Sequence, residues 1–276
     1  MSELQEKIAE LESFLAGKIN LVAFSGGVDS TVIVAVSAKV AKHTIAITCD
    51  SPTVPPGEVD EAKDLAASLG VEHVIVKVDE LQDPDFKRNP LDRCYFCKRG
   101  LTKAIVEFKE NWLKKHPQIR PEDVTILEGT NFTELGGHRP GFKAVKEGGA
   151  IAPLVVTGFT KKDIRDLARE LRLPNADKPS LACLSSRIQH GTPITAEKLV
   201  RIGQAEKFIK REFGILIARV RDHDGLARIE IGKDEIGKLL DKDILKTIHD
   251  ELKRLGFKYV TVDALGYRTG SMSADF

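Results

Sequence analysis

Read from the N-terminus, the chain opens with apolar residues at Leu4, Ile8, Leu11 and Leu15, the i, i+4, i+7, i+11 spacing of one helical face. The run INLVAF, residues 19–24, is short, apolar and bounded by polar residues, which predicts a buried strand. DSTVIVAVSAKVAK then has the length of a helix. TIAITCD, GEVDEAKDLAASLG and EHVIVKVD continue as strand, helix and strand, with Gly70 closing the helix. Strands alternating with helices of this length imply crossover units and a parallel sheet.

The alternation breaks at LQDPDFKRNPLDRCYFCKRG, a stretch rich in proline and charge that holds two cysteines. LTKAIVEFKENWLKKH predicts a helix and DVTILEGT a fourth strand. After the glycine-rich ELGGHRPGFKAVKEGG, AIAPLVV predicts another strand and TKKDIRDLARELRL another helix. PNADKPSLACLSSRIQHGTP has no usable period and reads as a long functional loop. From Ile194 the texture changes. TAEKLVRIGQAEKFIKREFG predicts a helix, ILIARVRD and GLARIEIG two alternating strands about the turn DHDG, KDEIGKLLDKDILKTIHDELKRLGF helices, and KYVTVDAL a last strand. The expected organisation is an α/β domain with a parallel sheet over residues 1–190, then a small α+β domain with antiparallel strands over residues 191–276 for substrate binding or oligomerisation.

Composition narrows the class. With 276 residues, 42% hydrophobic and 30% charged, the chain can bury a real core as a soluble globular protein. No apolar run approaches the roughly 20 residues that span a bilayer. The N-terminal segment carries acids on an amphipathic period, unlike a signal or transit peptide, so a cytoplasmic location is expected. Basic and acidic residues number 42 and 41, so no whole-surface field favours nucleic acid as a partner. Four cysteines in a reducing compartment are better metal or catalytic candidates than disulfides. A homo-oligomer is the expected assembly.

Where the first strand ends, the chain runs SGGVDS. A strand that stops in glycines and restarts as a helix presents unpaired N–H groups at the helix N-terminus, and these favour a phosphate. Gly26 and Gly27 let the backbone curl into a concave nest, Ser25 and Ser30 add hydroxyls, and Asp29 can cap the helix or hold a phosphate-bound magnesium. The spacing is not G-x-x-x-x-G-K-[ST] and no lysine follows the glycines, which points to pyrophosphate as the group held. FSGGVDS resembles the PP-loop of the ATP pyrophosphatase superfamily, which cleaves ATP between the α and β phosphates and adenylylates a substrate. The resemblance implies ATP with Mg2+ bound by Ala23, Ser25, Gly26, Gly27, Asp29 and Ser30, with Asp29 and Ser30 taking part in the chemistry. It also implies an adenine near the end of the second strand, at the backbone of Ile47 and Thr48.

Cys94 and Cys97 form a C-x-x-C placed just before a helix, beside Arg93, Lys98 and Arg99, a setting that favours thiolates. Cys183 stands far along the chain in SLACLSSR. Three thiolates suit a [4Fe–4S] cluster with one iron open, or a zinc ion completed by His138 or His190. Cys94 and Cys97 could instead form a redox disulfide, or all be unrelated buried thiols. Cys49 reads as core or pocket lining, and His73, His116 and His223 as surface residues.

RPG at Arg139–Gly141, CLSSR, and the C-terminal RVRDHDGLARIEI and LGFKYVTVDALGYRTGSM resemble the LarE family over nearly the whole chain. These are ATP-dependent sulfur transferases that help build the nickel-pincer nucleotide cofactor of lactate racemase. The resemblance implies a nicotinate mononucleotide-like substrate with two ring carboxylates, adenylylated and then converted to a thiocarboxylate, and it requires a sulfide source. Some members give up the sulfur of the cysteine matching Cys183. The three-cysteine subgroup, matched by Cys94, Cys97 and Cys183, implies a [4Fe–4S] cluster whose open iron carries an extra sulfide. Substrate contacts are expected at Arg139, Ser185, Arg187, Arg219 and Arg221, and Glu206 also matches a family position. Arg219 and Arg221 lie two apart on a predicted strand and share a face with Arg228 on the next, where forked guanidiniums suit a phosphate or carboxylate. The ordinary fate of such strand arginines is a solvated, salt-bridged face. Two rival readings are a tRNA thiolase of the PP-loop class, which would need a broad basic surface, and a non-catalytic zinc- and nucleotide-binding regulator.

Overall fold

The computed structural model describes residues 2–136, 140–180, 182–268 and 271–272. The chain forms two compact units. One comprises Met1–Ser51, Gly57–Asp79 and Asp92–Leu181, the other Pro52–Pro56, Glu80–Leu91 and Ala182–Phe276.

In the first unit, β1 (Ile19–Ala23), β2 (His43–Asp50), β3 (Glu72–Lys77) and β4 (Val124–Leu127) form a parallel sheet in the order β3-β2-β1-β4. Helices cover both faces, which is why the central strands read as continuous apolar runs. Val22 and Ala46 point to one side, where α1 (Glu3–Leu15), α2 (Val28–Val40), α3 (Glu58–Ser68), α7 (Pro153–Val156) and α8 (Lys161–Glu170) contribute to the same core. Leu21, Ile45 and Ile47 point to the other, against Ile105 of α5 (Arg93–Lys115) and Val145 of α6 (Pro140–Glu147). The chain leaves β1 for β2 and β3, then returns to lay β4 on the opposite side of β1. That reversal opens a crevice at the carboxyl ends of β1 and β4, the usual ligand position in such sheets.

Two expectations are corrected here. AIAPLVV is not a strand: Ile151 makes a single parallel bridge to Leu127, and α7 begins at Pro153. Proline has no N–H to continue the ladder, and it suits the first turn of a helix. The C-x-x-C does not precede a helix but lies inside α5, with Cys94 and Cys97 in its first two turns.

The second unit holds α4 (Pro84–Lys87), α9 (Ala196–Phe213), β5 (Ala218–His223), β6 (Leu226–Ile231), α10 (Lys242–Arg254) and β7 (Tyr259–Val262). Its sheet runs β5-β6-β7. β5 and β6 pair antiparallel across the expected turn, but β7 lies parallel to β6, with α10 supplying the crossover that parallel pairing needs. Segment 182–194 is largely irregular, with a 3-10 turn at Leu184–Arg187 and a bridge from Ile188 to Asp222. The buried Asn89 amide ties it down by donating to the carbonyls of Gln189 and Thr192 at 2.8 and 2.9 Å. Among the described residues no helix is long and apolar enough to cross a membrane.

Candidate active site

β1 ends at Ala23, and the ladder continues one residue further as the Phe24 N–H donates to the Ile47 carbonyl at 2.8 Å. The loop that follows turns at Gly26, whose φ of 69° lies in the left-handed region glycine tolerates without strain. Gly27 is the N-cap of α2, so the first N–H groups of that helix face the crevice. The loop is braced from within. The Gly27 N–H donates to Ser25 Oγ at 3.3 Å, Ser30 Oγ donates to the Gly27 carbonyl at 3.1 Å, and Thr31 Oγ1 to the same carbonyl at 2.9 Å. Asn175, buried, clamps the back by donating Nδ2 to the Gly26 carbonyl and Thr31 Oγ1 at 3.0 and 2.9 Å.

A cavity of about 270 Å3 opens on this loop, lined by Ser25, Gly27, Asp29, Asn131, Lys161 and Lys178 among others. Lys161 Nζ lies 2.8 and 2.6 Å from the two oxygens of Asp29. Lys178 lies 2.8 Å from Glu58 and 2.7 Å from Glu61; burial works against its charge, but the two carboxylates prevail and its pKa rises. Sequence reading missed both lysines, because each arrives from more than 100 residues downstream of the loop. The one available signal was that Lys161 opens the helix after the last crossover of the unit.

Thr48, buried on β2, donates Oγ1 to the Phe24 carbonyl at 2.8 Å, and its oxygen lies 2.8 Å from His73 Nε2. Since the single hydroxyl hydrogen is committed to Phe24, His73 is the donor in the second bond. His73 is therefore half-buried and structural rather than a surface residue. Burial, then Lys63, holds its pKa below the ordinary histidine value. His116 is half-buried too, stacked on Trp112, and His223 has a buried Nε2.

Cys94 is exposed, while Cys49, Cys97 and Cys183 are partly buried. Cys94 and Cys97 stand one helical turn apart, and Gly141 packs so tightly beside the pair that a Cβ there would lie 3.2 Å from the Cys94 carbonyl. Cys183 caps the Leu184–Arg187 turn, with Sγ 3.0 Å from Ser185 Oγ. Among the described residues no group of three or more His, Cys, Asp or Glu side chains is gathered to hold a metal ion. His138 and Arg139 lie outside the described residues.

In the second unit the expected substrate contacts sit in a buried ionic web. Arg187, 1% exposed, spends its fork inside the protein: Nε and Nη2 donate to Glu206 at 2.8 and 3.1 Å, and Nη1 to the carbonyls of Ala182 and Cys183 at 2.7 and 3.0 Å. Burial opposes its charge, but Glu206 outweighs this and its pKa rises. Glu206 also accepts from the Val220 N–H at 3.0 Å, so it joins α9, β5 and the Cys183 turn. Pairing of β5 with β6 sets Arg221 opposite Arg228 and Arg219 opposite Glu230. Arg219 and Arg221 are only 4% and 5% exposed, not a solvated face. Arg221 meets Glu230 at 2.6 Å, while Arg219 lies over the Tyr267 ring and burial, then Arg187, lowers its pKa. Ser185 is buried.

A braced glycine loop at the strand-order reversal of a parallel sheet, opening a helix and faced by lysines, defines a PP-loop nucleotide-binding protein. The asparagine synthase family model matches residues 21–93, a stretch that begins within β1 and holds this loop, β2 and β3. Similarity then extends to whole chains. The chain is 33% identical to the pyridinium-3,5-bisthiocarboxylic acid mononucleotide synthase of Lactiplantibacillus plantarum, over 91% of this chain and 88% of that protein. It is also 35% identical to an uncharacterised protein of Synechocystis, over 98% of both chains. An uncharacterised protein of Methanocaldococcus jannaschii is 29% identical over 94% of each. The chain belongs to the LarE family of PP-loop sulfurtransferases.

Proposed function

We propose that the protein uses ATP to adenylylate a ring carboxylate of a pyridinium dicarboxylate mononucleotide and then replaces the activated oxygen with sulfur, giving a thiocarboxylate, AMP and pyrophosphate. The observation that carries this reading is chain-wide kinship with a synthase of a pyridinium bisthiocarboxylic acid mononucleotide. A carboxylate is a poor electrophile, and adenylylation installs a good leaving group. The N–H groups of the loop and the ammonium groups of Lys161 and Lys178 suit departing pyrophosphate, because donors fixed in advance need no reorganisation as charge develops. Once phosphate draws Lys161 away, Asp29 is suited to the magnesium that travels with ATP. Ser25 and Ser30 supply hydroxyls to the phosphates, and the backbone near Ala23 and Thr48 receives the nucleoside.

Arg219 and Arg221, with Arg139 and Ser185, take the phosphate and carboxylates of the substrate in this reading. Arg187 shapes the turn that presents Cys183. Cys94 and Cys97, one turn apart on α5, suit two positions of a [4Fe–4S] cluster, with Cys183 as the third. Such a group would supply a reusable sulfide; without it, Cys183 gives its own sulfur once. The test is anaerobic incubation with ATP, magnesium, the dicarboxylate mononucleotide and hydrosulfide. Substrate-dependent AMP release and a product heavier by one oxygen-to-sulfur exchange are expected, and their absence overturns the reading. More than one product per chain supports the reusable source, whereas a ceiling of one assigns the sulfur to Cys183.

A further inference from the structure

Glu128 follows directly on β4, at the crevice end of the sheet, and is 9% exposed. Its Oε2 accepts from the Thr130 N–H at 3.0 Å and from Thr130 Oγ1 at 2.8 Å. Its Oε1 is buried and meets no donor among the described residues. An ionised carboxyl with an unmatched buried oxygen costs stability, and such groups concentrate where chemistry requires them. The next residue places it beside the phosphate loop. A Cβ at Gly129 would lie 3.3 Å from the Ser30 nitrogen and 3.6 Å from Asp29 Cβ, so glycine is what lets this strand end approach. Two other charges act on Glu128: Lys98, one residue past Cys97 on α5, and Glu134 of the 3-10 turn after β4. Across the loop, Asp29 is already matched by Lys161. The carboxyl is thus set between the phosphate loop and the helix that carries the cysteine pair.

We propose that Glu128 is the proton acceptor when free hydrosulfide, the sulfur source supplied in the assay, attacks the acyl-adenylate, taking its proton directly or through one water. The assignment rests on the sulfurtransferase reading above. The hydrosulfide sulfur forms a bond to the carboxyl carbon of the acyl-adenylate, its S–H pair stays on sulfur, and the proton passes to Glu128. The carbon–oxygen bond to AMP breaks, and AMP leaves with the electron pair of that broken bond. Products are a thiocarboxylate anion, AMP and protonated Glu128, and nothing is oxidised or reduced.

Burial lifts the pKa of Glu128 above the ordinary 4.5, against the lowering pull of the Thr130 bonds and Lys98. That shift carries a base towards the pH at which it can both hold and release a proton. It also sets the sign of a folding control. The neutral form is favoured in the folded state, so the stability it confers is full at acid pH and is lost as pH rises from 4.5 through the folded value. Glu128→Gln, always neutral, carries no such charge-burial loss at neutral pH.

The parent and Glu128→Gln are compared anaerobically in substrate-dependent ATP–pyrophosphate exchange and in thiocarboxylate formation with sodium hydrosulfide across a pH series. Expected are exchange at the parent level and thiocarboxylate formation slower by about 10²–10⁴-fold. The parent's advantage should shrink at acid pH; taking the ratio of the two rates at each pH cancels the titration of hydrosulfide itself. Glu128→Asp should recover part of the rate. A Gln variant that forms thiocarboxylate at the parent rate, or loses both half-reactions alike, overturns the assignment. A parent protein that exchanges pyrophosphate but forms no thiocarboxylate overturns the sulfurtransferase reading itself, and this assignment with it.

Discussion

At the scale of single residues, Lys161 and Asp29 show how a resting site can be neutral yet ready for a polyanion. Each satisfies the other at 2.6–2.8 Å, with both side chains partly exposed to the cavity. In the proposed reading, an arriving phosphate offers the ammonium a second anionic partner and frees the carboxylate. Lys161→Ala removes the cation and leaves Asp29 to repel the phosphates. Affinity for ATP, measured by calorimetry, should fall by about 10–100-fold, the equivalent of one charged hydrogen bond of about 1.5–3 kcal/mol. The junction of Ser25, Gly26, Gly27, Asp29 and Ser30 is legible in the sequence as a strand, turn and helix start because the three are contiguous there. Lys161 and Lys178 were not, since only the folded sheet brings them to the loop. Arg187 was visible as a basic residue beside Cys183, but its partner Glu206 lies 19 residues on, so its inward, shaping role had no local signature.

At the scale of elements, the parallel sheet was readable because β1 and β2 are buried on both faces and carry no polar alternation. The segment AIAPLVV, Ala150–Val156, has the apolar character of a strand, and Pro153, where α7 begins instead, is a single residue within that apolar run. Its backbone fate depends on where β4 stops, which periodicity does not encode. β7 was found, but its direction was not, because parallel and antiparallel edge strands of four residues have the same pattern. The start of α5 was placed late for a different reason: arginine, cysteine and aromatic residues give no apolar face in its first two turns. The β1–α2 junction offers the sharpest test at this scale. Gly26→Ala forces a side chain into the left-handed region at a cost of about 1–2 kcal/mol. For a chain of this size that corresponds to a melting temperature lower by about 2–8 °C. The new Cβ meets Ala62 at 3.4 Å, an ordinary contact, so the variant should fold while nucleotide binding weakens as the loop shifts.

At the scale of the molecule, the second unit combines an apolar core, including Ile202, Ile209, Val220, Ile229 and Leu252, with buried ion pairs. Arg187–Glu206 and Arg221–Glu230 are well buried pairs, and the partly exposed Arg201 meets the buried Asp222; together they tie the Cys183 turn, α9 and the sheet. Such pairs are hard to leave half-made. Arg187→Met should destabilise the protein by about 3–5 kcal/mol, because Glu206 stays buried without its cation. The double variant Arg187→Met with Glu206→Leu should recover most of that loss in denaturant unfolding. A smaller penalty for the single variant would mean that Glu206 finds water or another cation.

The stitching of Asn89 to residues 188–192 bears on how the chain is born. Residues 80–91 leave the ribosome about 100 positions before the segment whose carbonyls they grip. During synthesis the buried Phe86 and Asn89 must wait for residues 188–192 while β4 and the helices α5 to α8 of the first unit emerge. Closing a loop of that span is slow compared with local pairing. Final assembly is therefore gated by arrival of the C-terminal residues, and a prematurely terminated chain would expose this stretch to proteases and chaperones.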